Sequence, residues 1–150
     1  QSSPTQRDFV YFPPKCEFSV RFPGKPEFKN IVSQMGKTEQ ASYYKKLFLR
    51  AECFSMLPNT HVTEQSILSG MRAFATQNGL SGVEYSIKKR SIGMVGSGRG
   101  SKTIRGKWST YEFKFIYGKT SVLGLSVGGL SQTYPQKGID EFLKSVSKVK

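Results

Sequence analysis

The segment YEFKFIY, Tyr111–Tyr117, alternates aromatic side chains with other residue types. Successive side chains of a β-strand point to opposite faces, so this pattern predicts a strand with one strongly aromatic face. Gly118 marks a turn, and Ser121–Gly128 is expected to return as the antiparallel partner. In the register that packs best, Phe113 lies opposite Leu123 and Tyr111 lies opposite Leu125.

Two amphipathic helices are predicted on either side of this hairpin. Thr63–Asn78 has an apolar stripe with helical spacing, a threonine N-cap and an Asn-Gly stop. Lys137–Val149 has a second stripe with the same period. The two stripes are Ile67, Leu68, Met71, Phe74 and Ala75, and Ile139, Phe142, Leu143, Val146 and Val149.

Further strands are predicted at Cys16–Phe22, at Tyr43–Met56, around Val83–Ile87 and at Thr103–Trp108. Glu27–Ser42 and Gly93–Gly100 are interpreted as loops, the first with a short strand around Phe28–Val32 as an alternative and the second flexible. Short turns between successive strands indicate an antiparallel sheet, and the two helices can cover its faces. The prediction is an α+β fold, an antiparallel β-sheet flanked by helices. Residues 1–8 are expected to form a flexible arm, and residues 9–150 a single domain.

The two cysteines fall on strands that can be aligned. Antiparallel pairing of the first two predicted strands puts Phe22 opposite Leu47 and Cys16 opposite Cys53. Opposed cysteines can reach disulfide distance. We predict a Cys16–Cys53 disulfide and hence an oxidising compartment; the alternative is two buried thiols that only pack together.

Positive charge is concentrated in one part of the chain. Residues 85–119 contain nine basic residues and one acidic residue, a net charge of +8 out of +13 for the whole chain. Such a region attracts anionic partners, although a run of like charge can also be only a solvated face. The candidate anion-binding residues are Lys88, Lys89, Arg90, Arg99, Lys102, Arg105 and Lys107.

Catalytic and metal-binding motifs are incomplete. Gly124–Gly128 matches G-x-S-x-G, but the single histidine, His61, precedes it and no helix is expected after it, so a hydrolase is not predicted. Gly96–Thr103 resembles a phosphate loop but fits neither nucleotide-binding pattern, which leaves a mobile hairpin tip or an anion contact as its interpretations. One histidine and two cysteines lack metal-ligand spacing. We expect no enzyme activity, no metal and no cofactor.

The chain begins at Gln1 rather than Met, and removal of a signal peptide fits this beginning. Its longest nearly uncharged run, Thr120–Gln136, is shorter than the roughly 20 apolar residues that span a bilayer, so no transmembrane segment is expected. The aromatic residues lie on the predicted core face, which makes nucleic acid an unlikely partner.

The segment FSVRFPGKP, Phe18–Pro26, resembles the opening of small secreted bacterial proteins of the PsbP-like superfamily, whose fold is shared with a Ran-binding nuclear import factor. GIDEFLKSV, Gly138–Val146, is similar to their terminal helix. The resemblance implies a helix-flanked PsbP-like sandwich and a non-catalytic, exported domain.

We therefore predict a secreted or periplasmic bacterial protein, monomeric, that binds an anionic membrane surface or an acidic protein through its basic patch. The alternative is a structural accessory subunit of a secreted or envelope complex. It would dock by an apolar surface, and Phe9–Phe12 is the candidate segment.

Overall fold

The computed structural model describes residues 8–33 and 36–149 and is built mainly from β-strands. Its elements are β1 Phe9–Tyr11, β2 Phe18–Phe22, β3 Glu27–Ser33, β4 Gly36–Tyr44, β5 Phe48–Ser55, α1 Glu64–Gln77, β6 Ser81–Arg90, β7 Gly93–Ile104, β8 Lys107–Tyr117, β9 Ser121–Leu130, a 3₁₀ turn Ser131–Thr133, α2 Ile139–Lys144 and β10 Ser147–Lys148. Residues 1–7 of the predicted N-terminal arm lie outside the described residues.

Seven strands form one antiparallel sheet in the order β3-β4-β5-β9-β8-β7-β6. Helix α1 packs on one face of this sheet, which we call the α1 face, and buries Ile67, Met71 and Ala75 against aromatic side chains of β8. A small sheet in the order β1-β2-β10 and the short helix α2 cover the opposite face. The main core lies on that side and contains Phe18, Phe22, Leu125 and Phe142.

The predicted helix-flanked α+β sandwich is wrong. Strands make up 55% of the structure, and α1 is the single helix of seven or more residues among the described ones. The second predicted helix is shorter than expected and spans Ile139–Lys144. The Ser145 hydroxyl ends it, because this group donates a hydrogen bond to the Phe142 carbonyl and accepts one from the Arg21 amide. The chain then pairs with β2. Serine side chains compete with helical hydrogen bonds in this way.

Both predicted loops are strands. Glu27–Ser42 forms the β3–β4 hairpin, in which cross-strand pairing outweighs a polar sequence of weak strand propensity. Gly93–Gly100 belongs to β7, where three glycines allow close packing: a Cβ on Gly96 would lie 2.6 Å from Ile67 Cγ2. The predicted strand Thr103–Trp108 is interrupted by a two-residue turn, Arg105 and Gly106: Thr103 and Ile104 end β7, and Lys107 and Trp108 begin β8.

Helix α1 confirms its prediction, since Thr63 is the N-cap and accepts a hydrogen bond from the Ser66 amide. The strand Tyr111–Tyr117 is also confirmed, but its predicted register is wrong. Phe113 pairs with Ser126, and Ile116 pairs with Leu123. The aromatic side chains of β8 face α1, whereas the leucines of β9 face the other core.

The predicted disulfide is present, but the pairing that suggested it is not. Cys16 and Cys53 are bonded, with 6.0 Å between their Cα atoms. Strand β2 pairs with β1 and β10, not with β5, so the disulfide joins the small sheet to the large one. A disulfide of this kind fits an oxidising, extracytoplasmic compartment.

Glu17, next to Cys16, stabilises the β8–β9 turn. Its carboxylate accepts hydrogen bonds from the Lys119 amide at 2.8 Å and from the Thr120 hydroxyl at 2.7 Å. Partial burial acts to raise the pKa of Glu17, but these hydrogen bonds outweigh it and hold the pKa below its usual value. The carboxylate therefore fixes the small sheet to the turn as an acceptor.

Candidate basic cleft at one edge of the sheet

Two turns at the same end of the large sheet bring basic residues together. The pairs Phe48–Gly128, Gly128–Tyr111 and Tyr111–Gly100 run across the sheet in one row. The start of β5 and the end of β7 therefore lie at one end of the sheet. The β4–β5 turn and the β7–β8 turn project from that end.

Each turn places a basic residue in the left-handed backbone region. Ile104 pairs with Lys107 across a two-residue turn of Arg105 and Gly106, with φ of 53° and 78°. Both values are positive, as in the type I′ hairpin turn, which favours Asn-Gly. In the β4–β5 turn Lys46 has a φ of 68°. A side chain in this region costs roughly 1–2 kcal/mol relative to the usual backbone conformation.

Between the turns lies a cleft of about 520 Å³, which we call the basic cleft. Four exposed cations line it, and we call them the cationic rim: Lys45, Lys46, Arg105 and Lys107. Its apolar wall includes Leu47, Phe48, Ile104 and Leu130. Among the described residues that line it there is no aspartate or glutamate. A concave site of one charge sign concentrates the electrostatic field and attracts the opposite charge.

A smaller pocket of about 100 Å³ continues the cleft, and the two share Tyr44, Phe48 and Ile104 as lining residues. Its two cations are Arg50 and Lys102, both partly buried. The rings of Tyr44 and Phe48 are 4.9 Å apart, and those of Phe48 and Tyr111 are 6.0 Å apart. Aromatic rings therefore run from the rim into the smaller pocket.

The cations are held against these rings. Arg105 lies 4.5 Å from the Tyr44 ring centroid, Arg50 lies 4.8 Å from Phe48, and Lys102 lies 4.8 Å from Tyr111. Cation–π contacts of this kind contribute about 0.5–1 kcal/mol at exposed sites. They position charged groups without neutralising them, so the charge stays available to an anion.

Tyr111 lies at the floor of the smaller pocket. Burial raises its pKa, while a hydrogen bond with Ser126 and the charge of Arg50 act in the opposite direction. Ser126 is the serine of the G-x-S-x-G segment and lies within strand β9 rather than at a strand-to-helix turn. The glycines of that segment lie beneath apolar side chains: a Cβ on Gly124 would be 3.1 Å from Phe115, and one on Gly128 would be 3.1 Å from Ile104.

The predicted anion-binding residues separate into three groups. Lys102, Arg105 and Lys107 line the cleft and its smaller pocket. Arg99 lies on the face of the large sheet opposite the α1 face. It is 3.3 Å from a Glu112 carboxylate oxygen and 5.3 Å from the Tyr134 ring centroid. Glu112 also accepts a hydrogen bond from the Tyr134 hydroxyl, so the charge of Arg99 is compensated.

The third group, Lys88, Lys89 and Arg90, is exposed at the far end of β6. Arg90 pairs with Gly93, and β7 advances eleven residue steps from Gly93 to Ile104 at the cleft, roughly 35 Å at the usual rise of a strand. Strand β6 is an edge of the large sheet, and basic side chains on an edge discourage pairing with another chain. These residues thus have a structural explanation independent of binding.

The sequence prediction omits Arg50 because charge density does not show that this residue of β5 lines the smaller pocket. It omits Lys45 and Lys46 because it treats Tyr43–Met56 as one continuous strand. The turn residues between Tyr44 and Phe48 were therefore placed inside a strand. The signal that could have revealed the turn is the pair Lys45-Lys46, which interrupts two apolar stretches.

The other predicted surfaces lie elsewhere. Tyr11 belongs to the core, and its hydroxyl donates to a Glu39 carboxylate oxygen at 2.8 Å. Of the apolar docking segment, Val10 and Phe12 are exposed, Phe12 by 61%. His61 is exposed, and the described residues contain no group of three potential metal-ligating side chains. No helix in the described part of the chain is long and apolar enough to span a bilayer.

The fold and this site together describe a disulfide-bonded, mostly β protein with a basic, aromatic cleft. No family model and no curated protein matches the chain. Two solved bacterial structures share its fold. LpqN of Mycobacterium tuberculosis, described as involved in cell envelope biogenesis, has a TM-score of 0.55 at 12% identity over 97% of this chain and 92% of its own.

A crystal structure from Bacteroides thetaiotaomicron VPI-5482 has a TM-score of 0.56 at 15% identity over 96% of this chain. The matched region is 48% of that protein, so the present chain spans about half its length. Identities this low establish a shared fold and do not transfer a site.

Proposed function

We propose that this chain is an exported, non-enzymatic bacterial binding module that attaches to anionic lipid surfaces through the basic cleft. The observation that carries the proposal is the convergence of the cationic rim and an aromatic floor with no carboxylate among the described lining residues. The disulfide and the structural similarity to an envelope-biogenesis protein support an extracytoplasmic, secreted or periplasmic location.

An anionic lipid surface is favoured over an acidic protein because apolar side chains accompany the charge. Trp108 is 58% exposed and adjoins Lys107 of the rim, and Leu130 is exposed at the neighbouring end of β9. Tryptophan is enriched at the boundary between lipid headgroups and acyl chains. Basic residues close to an anionic leaflet contribute about 1 kcal/mol each.

Neutralising the rim is expected to weaken binding to anionic vesicles strongly. The triple variant Lys45→Gln, Lys46→Gln, Lys107→Gln removes three contacts of about 1 kcal/mol each, so affinity should fall roughly hundredfold. Trp108 is the single tryptophan of the chain, and its fluorescence during vesicle titration measures the affinity.

The matched control is Lys88→Gln, Lys89→Gln, Arg90→Gln, which removes the same charge at the far end of the sheet. Its affinity should change by less than about threefold, because distant exposed charges are screened within about 8–10 Å. Equal losses in both triple variants would contradict the cleft. Wild-type binding to an acidic protein but not to vesicles would favour the other class of partner.

Lys46 provides a second test, in which stability and binding move in opposite directions. Lys46→Gly should raise the free energy of unfolding by about 1 kcal/mol, because glycine adopts positive φ without steric cost. It should also weaken vesicle binding, because one rim cation is lost.

The control is Lys45→Gly, which removes a cation from the same turn at a residue without a positive φ. It should weaken binding similarly and give no gain in stability in urea unfolding; a gain in both variants would contradict the strain argument.

A further inference from the structure

We infer that the basic cleft is selective for a phosphate monoester attached to a ring or another apolar body. This inference rests on the proposed function, and it assigns distinct parts of one ligand to the two connected pockets. The smaller pocket would take the phosphate, and the larger one would take the body.

The smaller pocket holds two cations over neighbouring rings. Arg50 lies over Phe48 and Lys102 lies over Tyr111, and the two rings are 6.0 Å apart. No carboxylate occurs among the described residues that line this pocket. Its volume of about 100 Å³ admits a single compact group.

Both cations are held in place by hydrogen bonds that leave other donors available. Arg50 Nε donates to the Ser42 hydroxyl at 3.2 Å, and a guanidinium carries five N–H donors in all. Lys102 Nζ donates to the Asn78 carbonyl at 3.1 Å, at the carboxyl-terminal end of α1. An ammonium has three donors, so two remain for a ligand. Preorganised donors reduce the entropy lost on binding.

The chemistry of this pair favours a doubly charged group. Arg50 and Lys102 line the same small pocket, and burial, and next the charge of Arg50, lowers the pKa of Lys102. A phosphate monoester carries a charge of about −1.5 to −2 at pH 7 and three acceptor oxygens. It can interact with both cations at once, whereas a sulfonate or a phosphodiester brings a single negative charge.

The shared wall directs the rest of the ligand into the larger pocket. Tyr44, Phe48 and Ile104 line both pockets and provide two rings and an aliphatic surface for a stacked or apolar body. The larger volume, about 520 Å³, lies in the usual range of small-molecule sites. The rim cations then lie around the outer part of the ligand.

Such a monoester can be a soluble ester or the headgroup of a lipid, and two probes separate these sources. Phenyl phosphate, measured by calorimetry, represents the soluble form, with benzenesulfonate as a singly charged analogue of similar shape. Vesicles containing phosphatidic acid represent the lipid form, with phosphatidylglycerol vesicles of equal surface charge as the control.

Wild-type protein should bind phenyl phosphate at least about tenfold more tightly than benzenesulfonate, because its second negative charge strengthens the charge-assisted hydrogen bonds to Arg50 and Lys102. Arg50→Gln and Lys102→Gln should each reduce phenyl phosphate affinity at least about tenfold. Lys88→Gln and Lys89→Gln, which remove the same charge elsewhere, should leave it within about twofold.

Preference for phosphatidic acid with weak phenyl phosphate binding would assign the lipid source, and the reverse would assign the soluble source. Equal affinity for phenyl phosphate and benzenesulfonate, together with no preference for phosphatidic acid, would overturn the inference.

The variants separate the failure of the inference from the failure of the proposed function. If rim variants lose vesicle binding while Arg50→Gln and Lys102→Gln do not lose phenyl phosphate binding, the inference fails and the proposed function stands. No binding to any anionic probe overturns both. The wild-type comparison of probes needs no variant, so it remains decisive if a substitution prevents folding.

Discussion

Replacing both cysteines, Cys16→Ser and Cys53→Ser, is expected to lower the free energy of unfolding by about 4 kcal/mol. The disulfide closes a loop with a sequence separation of 37 residues, and the loop-entropy relation gives a loss of this size. Stabilities of small domains are typically 5–15 kcal/mol, so the variant should be close to unfolding at physiological temperature. Urea unfolding followed by far-ultraviolet circular dichroism measures the change.

The structural position of the disulfide supports the large effect. It cross-links the layer containing β2 to the large sheet, and Cys53 lies in the main core. Reduction of the wild-type protein should produce a similar loss. A loss below about 1 kcal/mol in both experiments would show that noncovalent packing alone holds the two layers together.

The second large effect is the change in stability when Gly98 or Gly70 is replaced by alanine. A Cβ on Gly98 would lie 2.6 Å from Cε1 of Phe113, a fully buried ring in contact with Phe74 and Tyr85. Gly98→Ala should therefore destabilise the fold by about 1–3 kcal/mol, the usual cost of overpacking a core. In α1, a Cβ on Gly70 would meet nothing within 4 Å. Gly70→Ala should stabilise the fold by about 0.5–1 kcal/mol, because glycine is unfavourable in a helix interior.

Thermal unfolding of the two variants should therefore shift in opposite directions. Adding Phe113→Leu to Gly98→Ala should recover part of the loss, because the smaller side chain leaves room for the methyl group. If Gly98→Ala were neutral, the close packing of β7 against β8 would be incorrect.

These glycines also explain why the fold could be predicted only in part. Helix α1 and strand Tyr111–Tyr117 have strong periodic patterns, and both were recognised. Gly96, Gly98 and Gly100 suggested a flexible loop, whereas they are small because α1, the Phe113 ring and β6 lie against them. That reason depends on contacts between elements and is not a local property of the chain. The sequence indicates β3 only as an alternative, a short strand around Phe28–Val32, and gives no sign of β4, because cross-strand pairing stabilises this hairpin more than strand propensity does.

The candidate site was predictable to a similar extent. Charge density identified Lys102, Arg105 and Lys107, which lie next to the β7–β8 turn. The same argument included Arg99 and Lys88, whose positions depend on strand direction and on the partner Glu112. Lys46 and Arg50 join the cleft only because β5 lies two strands away from β8, a long-range arrangement that composition does not encode.

The central claim is that anions bind at the two turns that form the basic cleft. The most direct test is a nuclear magnetic resonance titration of ¹⁵N-labelled protein with phenyl phosphate, following the backbone amides. The account predicts that shift changes concentrate at Tyr44–Arg50 and Lys102–Lys107, around the two connected pockets, and leave Lys88–Arg90 unchanged. Changes centred on the β6–β7 hairpin, or spread evenly over the basic surface, would contradict it.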